Sequence, residues 1–295
     1  DYYGAEPPNK ITDIKTLETG SLTLNKSFIP RKALRLKSGT VLIAHEYITV
    51  TQNIARVGKI SVNGIYSTTN IHTQSTSDLR GNNRFPTLCQ LADGSVLCAV
   101  WVVNGVTFDA NVEVYRSVDD GATFEQVSRR ALPYSYNVDG IIGAGEDGFD
   151  LQPLTMAAST HQVILFTGLY LHDTTPTYGS RIAQYASSNN GLTYDLVDTA
   201  SDADASHFYL PQVVEHNGVF IIGYIAAPDE IRFTRLSNAY DSVFNQLGII
   251  SGDTLAGSFA GISNNRLVDA SITVSKDTDG RMYIYAANFS STRQG

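Results

Sequence analysis

From Ser117 to Phe124 the chain reads SVDDGATF, and from Ser187 to Tyr194 it reads SSNNGLTY. Both fit one pattern, S-x-D/N-x-G-x-T followed by an aromatic. SVNGIY (Ser61 to Tyr66) keeps the Ser, Asn, Gly and aromatic in a shorter turn, and SNAYDSVF (Ser237 to Phe244) keeps the first Ser and the last aromatic. A strand-like run precedes each copy: RVGKI, NVEVYR, RIAQYA and IRFTRL. Further upstream lies a second shared unit, an apolar run, a turn and another apolar run. Its copies are KALRLKSGTVLIAHEY, FPTLCQLADGSVLCAVW, LQPLTMAASTHQVILFTGLY and LPQVVEHNGVFIIGYI, with a fifth, ASITVSKDTDGRMYIYAANF, from Ala270. A period of roughly 50–70 residues holds four strands and their turns, the content of one propeller blade. The sequence therefore predicts an all-β chain, a β-propeller of four-stranded blades.

Five starts in 295 residues give five blades of about 59 residues, with six as the alternative. The fifth start has only two strands before the chain ends. The segment KITDIKTLETGSLTL (Lys10 to Leu24) is expected to supply the missing outer strands. Residues 1–295 then form one domain, in which 1–28 closes the last blade.

The repeated motif has a structural rationale. In a hairpin between third and fourth strands, the Asp119 carboxylate accepts backbone N–H groups of its own turn. Gly121 takes a positive φ without steric cost, and Phe124 is expected to pack under the hairpin. Asn189, Gly191 and Tyr194 repeat these roles, and Ser117, Thr123, Ser187 and Thr193 complete the two turns. The motif sits on the outer part of a blade and performs no chemistry.

Composition narrows the class. Charged residues make up 17% and hydrophobic residues 42%, which describes a globular chain with a low-charge surface. The formal net charge of -8, without a Lys/Arg run, argues against nucleic acid as a partner. The longest apolar stretch, GVFIIGYIAA (Gly218 to Ala227), is too short to span a bilayer, so no membrane insertion is expected. The opening DYYGAEPPNK and the closing SSTRQG read as the ends of a processed piece or of an ordered part of something larger. Cys89 and Cys98 flank LADGSVL. A two-residue Asp93-Gly94 turn would set them directly opposite each other, at disulfide range. Two buried free thiols are the other reading. Neither cysteine has metal-ligand spacing, and no metal or cofactor is expected.

SVDDGATF resembles the Asp-box of the sialidase (neuraminidase-like, BNR-repeat) superfamily, and RFPTLCQLADGSVLCAVW (Arg84 to Trp101) resembles that family's Arg-Ile-Pro segment with its Asp-Gly turn. The resemblance spans Arg84 to Phe124. It implies a propeller fold and a site of three arginines around a substrate carboxylate, with an Asp acid/base and a Tyr nucleophile activated by a Glu. Arg84 matches the first arginine, and Asp109, in TFDANVEVYRS, lies near the acid/base position. The pattern then breaks. Leu210, in YLPQVVE, stands where the Glu belongs, IIGYIAAP lacks the arginine of the following strand, and the nucleophile is not assigned among 16 tyrosines.

Propeller ligands meet the mouth where innermost strands begin. Aligned turns put Ile29, Arg84, Phe208 and Ala270 at equivalent entries. Near them, Asp150 (in GEDGFD), Asp269 (in RLVD) and Asp109 are the candidate catalytic carboxylates, since a suitably spaced pair suffices for glycoside hydrolysis. Arg84, Arg181 and Arg266 are the candidate substrate arginines, and His207, Phe208 and Tyr209 form a candidate sugar-stacking platform. GLYLHDTTPTYGSR (Gly168 to Arg181) reads as a long recognition loop. The expected function is glycan recognition by an extracellular or virion-surface module of a larger assembly, a receptor-binding or adhesion part of a viral, phage or surface protein. A glycoside hydrolase of the sialidase type is the alternative.

Overall fold

The computed structural model describes residues 27–49, 51–75, 85–103, 110–131, 149–151, 154–171, 179–200, 209–226, 230–243, 270–276 and 282–288. Among them every regular element is a β-strand, and all strands pair antiparallel. The first sheet runs β1 (Ser27–Arg35), β2 (Val41–Ile48), β3 (Gln52–Ile60) and β4 (Tyr66–Ser75), each strand paired with the next. The second repeats this with β5 (Thr87–Gln90), β6 (Val96–Val103), β7 (Ala110–Ser117) and β8 (Glu125–Ala131). In the third, a broken inner strand, β9 (Phe149–Leu151) and β10 (Thr155–Ala158), lies along β11 (Val163–Leu171), which is followed by β12 (Gly179–Ser187) and β13 (Asp195–Ala200). The fourth has β14 (Tyr209–His216), β15 (Val219–Ala226) and β16 (Glu230–Leu236), and the fifth has β17 (Ala270–Lys276) and β18 (Met282–Asn288). The first strands touch in succession, β1 against β5, β5 against β10, β10 against β14 and β14 against β17. Consecutive meanders packed side by side through their first strands are propeller blades. The segment Lys10 to Leu24 lies outside the described residues.

The core is divided between neighbouring sheets, which explains why β6 reads VLCAVWVV. Leu97, Ala99 and Trp101 pack with Met156, Leu165 and Tyr185 of the third sheet. Their alternates Val96, Cys98 and Val100 pack with Leu42, Ala44 and Val57 of the first. A strand covered on both faces reads as a continuous apolar run. Phe166, Ile182, Phe220 and Ile222 do the same between the third and fourth sheets.

Of the two readings of Cys89 and Cys98, the structure shows buried free thiols, and it corrects the register expected from a two-residue turn. Cys89 lies opposite Leu97, and Leu88 lies opposite Cys98. The turn takes three residues, not two, with Leu91 N–H bonded to Ser95 O, Gly94 N–H to Leu91 O, and Gly94 at φ 91°. This is a type I turn closed by a left-handed glycine. The extra residue shifts the register by one, and a one-residue slip sends side chains to opposite faces. Cys89 therefore faces the third sheet and Cys98 the first, both as buried free thiols.

The repeated motif joins third to fourth strands, as the sequence predicts. Ser117 Oγ accepts Gly121 N–H at 2.8 Å, Asp119 Oδ1 accepts Thr123 N–H at 2.8 Å, and Asp119 Oδ2 accepts the Thr123 hydroxyl at 2.7 Å. Ser187 and Asn189 repeat the first two bonds at 2.9 Å each. Gly121 and Gly191 both have φ 78°. The aromatic, however, packs toward the preceding sheet, Phe124 on the core shared with the first and Tyr194 in the core shared with the second. The turn is also bonded across the gap, Thr69 Oγ1 donating to Ala122 O at 3.0 Å. The motif is therefore a fastener between sheets.

Burial works against the Asp119 charge, but the bonds from Thr123, Ser117 and Ala122 together outweigh it and lower its pKa to about 2. A depressed carboxylate pKa stabilises the fold above its unfolded value, about 3.9, and that contribution fades as pH falls through about 2. Asp119→Asn copies the residue at 189. It is expected to unfold at nearly the wild-type temperature at pH 7, and to lose less stability than wild type between about pH 4 and pH 2 in acid titrations.

Candidate functional site

The innermost strands all start at one end, opposite the end that carries the fastening turns. Proline marks four of the five starts in the sequence, Pro30, Pro86, Pro153 and Pro211, and the fifth, at Ala270, lacks one. Proline donates no N–H, so it is tolerated at a first strand residue or a bulge. Three of these strands carry one extra residue there. In β1, Pro30 pairs with His45 but Lys32 pairs with Ala44. Along β11, Leu151 sits opposite Leu169 and Thr155 opposite Phe166, so four steps on the inner strand match three on β11. In β14, Tyr209 sits opposite Ile225 and Gln212 opposite Gly223, three steps against two. Bulges bend a strand and re-aim its side chains, and they concentrate at barrel rims and beside active sites.

The best-defined feature at this end joins the first two sheets. The fully buried Glu46 of β2 accepts Arg31 Nε at 2.6 Å and Phe85 N–H at 3.1 Å through Oε1. The Arg31 guanidinium stacks 4.2 Å from the Phe85 ring centre. Phe85 has φ 43°, a left-handed conformation costing of order 1–2 kcal/mol for a residue with a Cβ. The carboxylate therefore pins a strained residue immediately after Arg84.

Of the candidate residues, Asp150 lies in β9 opposite Tyr170, and Arg181 lies in β12 opposite Leu169. The two flank β11 from opposite sides, one row apart. Tyr209 begins β14, opposite Ile225. Arg84, Asp109, His207, Phe208, Arg266 and Asp269 lie outside the described residues. The expected loop from Gly168 to Arg181 is shorter than expected. β11 and β12 keep pairing as far as Leu171 and Gly179, which makes both ends of that stretch strand.

A tyrosine paired with a glutamate does exist, away from the mouth. Tyr115 donates to Glu113 Oε2 at 2.6 Å between the first and second sheets, with His72 Nδ1 3.4 Å from the same oxygen and Arg129 Nη1 3.6 Å from Oε1. Burial opposes the Glu113 charge, yet the hydrogen bonds from His72 and Tyr115 and the charges of His72 and Arg129 hold its pKa below the usual range. Burial first, and then the bond and charge of Glu113, push the Tyr115 phenol well above its ordinary value. A nucleophilic tyrosine needs the reverse shift, so this pair is a structural bond between sheets. Glu46, Arg31 and Glu113 escape sequence reasoning because they lie in ordinary-looking strand runs. The repeated proline was the available signal for the mouth. Among the described residues, no group of three or more His, Cys, Asp or Glu is placed to hold a metal ion.

No protein-family model matches the sequence. No curated protein matches it. Solved structures of similar outline include the α-L-arabinofuranosidase of Fusarium graminearum with arabinobiose, at 17% identity and a TM-score of 0.47, covering 74% of this chain and 68% of that one. The α-L-arabinanase of Penicillium chrysogenum matches at 13% identity and a TM-score of 0.48, covering 75% and 65%. The sialidase of Trypanosoma rangeli matches at 13% identity and a TM-score of 0.44, covering 73% of this chain and 37% of that one. Likeness at this level assigns neither a substrate nor a catalytic residue to the chain.

Proposed function

We propose that the chain is a carbohydrate-active β-propeller that binds a glycan where its innermost strands begin and hydrolyses a glycosidic bond there. The supporting observation is the clustering of extra residues at one end of β1, β9–β10 and β14, where Asp150, Arg181 and Tyr209 also lie. In this reading Asp150 is one of two carboxylates flanking the scissile bond, with Asp109 or Asp269 as the other. One protonates the leaving oxygen, and the other activates water or attacks the anomeric carbon. Arg84, Arg181 and Arg266 hold polar or charged substituents, and His207, Phe208 and Tyr209 stack on sugar faces. The ring has five blades, closed by residues 1–28.

A second reading, recognition without cleavage by a receptor-binding or adhesion module at an extracellular or virion surface, is favoured by Leu210 at the place of the activating glutamate. Asp150→Asn separates the two. Under the hydrolase reading, cleavage falls about 100–10,000-fold while glycan binding and melting temperature are retained. Wild-type protein that binds glycans and releases no product establishes the second reading, and protein that binds none refutes both.

A further inference from the structure

The bulge in β1 sets two consecutive cations, Arg31 and Lys32, against the His45–Ala44 step of β2. Arg31 is committed to Glu46 and to the face of Phe85. Lys32 is half-buried at the inner edge of the first sheet, and among the described residues it has no hydrogen-bond or ion-pair partner. The ionisable group that acts on it is Cys89 of β5. Burial pushes that thiol up to about 12, even though Lys32 pulls the other way, so it stays neutral and supplies no counter-charge. The one carboxylate in β2, Glu46, is held by Arg31. An ammonium group held out of water without a counter-charge is costly, and an incoming anion relieves that cost.

We infer that Lys32 binds an anionic substituent, a carboxylate or a sulfate, on the glycan that enters at this end of the innermost strands. The inference rests on the glycan reading and names the ligand's charge. Burial lowers the Lys32 pKa, and the neutral Cys89 thiol does not restore it. An anion binds the protonated amine, so affinity is full below that pKa and falls as pH rises through it, starting below the ordinary lysine range.

The test follows the Lys32 Cε signal by NMR in ¹³C-lysine-labelled protein, between about pH 7 and pH 11, alone and with glucose, glucuronate or glucose 6-sulfate. These sugars differ only at C6. A charged sugar is expected to raise the Lys32 midpoint by about one unit, a tenfold preference for the ammonium form, while glucose leaves it unmoved. The sugar that acts identifies carboxylate or sulfate. Lys32→Gln is expected to weaken binding of that sugar about tenfold or more without changing glucose binding. Lys32→Arg keeps the affinity and extends it to higher pH. Equal signal changes elsewhere with all three sugars, with Lys32 unmoved, would overturn the inference and leave the glycan reading standing. No change with any sugar would overturn both.

Discussion

Gly191→Ala is expected to cost about 2–5 kcal/mol and to lower the melting temperature by about 5–15 °C, because two penalties fall on one methyl group. The first is conformational. Gly191 has φ 78°, where a Cβ costs of order 1–2 kcal/mol. The second is packing. The new Cβ would run into Cδ1 of Leu97, which is fully buried between the second and third sheets, and would come within 3.0 Å of the Tyr194 hydroxyl. Leu97 is fully buried in the core between these sheets, so overpacking adds about 1–3 kcal/mol. Gly94→Ala isolates the first penalty. Gly94 has φ 91°, but nothing lies within 4 Å of an added Cβ, and about 1–2 kcal/mol is expected. Urea unfolding of both variants checks the difference. Equal losses would show that the turn glycine is there for its φ alone and that the fastener account is wrong.

Glu46→Ala is expected to cost about 3–5 kcal/mol, since it leaves a partly buried guanidinium and a strained Phe85 N–H without their shared acceptor. Glu46→Gln keeps an oxygen at the site and should lose less. Arg31→Met removes the charge that Glu46 neutralises, so the double variant with Glu46→Gln should be more stable than the sum of the two single losses predicts. Amide exchange gives a second readout, with Phe85 expected to lose protection in Glu46→Ala. Additive losses in the double variant, or unchanged Phe85 protection, would mean that the carboxylate does not hold this segment.

The relation of Gly191 to Leu97 recurs one sheet earlier, where a Cβ on Gly121 would lie 2.7 Å from Leu42 Cδ2. Leu42 and Leu97 are each the second residue of a second strand. Sequence spacing located the turn, but not its contact with Leu42 or Leu97, because that contact joins neighbouring repeats. Strand content, order and the third-to-fourth-strand position of the motif were legible for the same reason: alternation, Gly turns and aromatic positions are local signals. The cysteine register was not, because two- and three-residue turns around Asp93-Gly94 look alike in sequence and place Cys89 on opposite faces. Of the mouth, the repeated proline was visible at Pro30, Pro86, Pro153 and Pro211, whereas the bulges beside three of them were not. Glu46 could not be read as a clamp, because its partners Arg31 and Phe85 come from two different inner strands.

Incubation of the purified chain with a glycan panel, followed by mass spectrometry of each bound glycan, tests the central claim most directly. The account predicts glycans that bind and are shortened by a released sugar, with release lost and binding retained in Asp150→Asn. A panel in which no glycan binds, or cleavage that survives in Asp150→Asn, would contradict it.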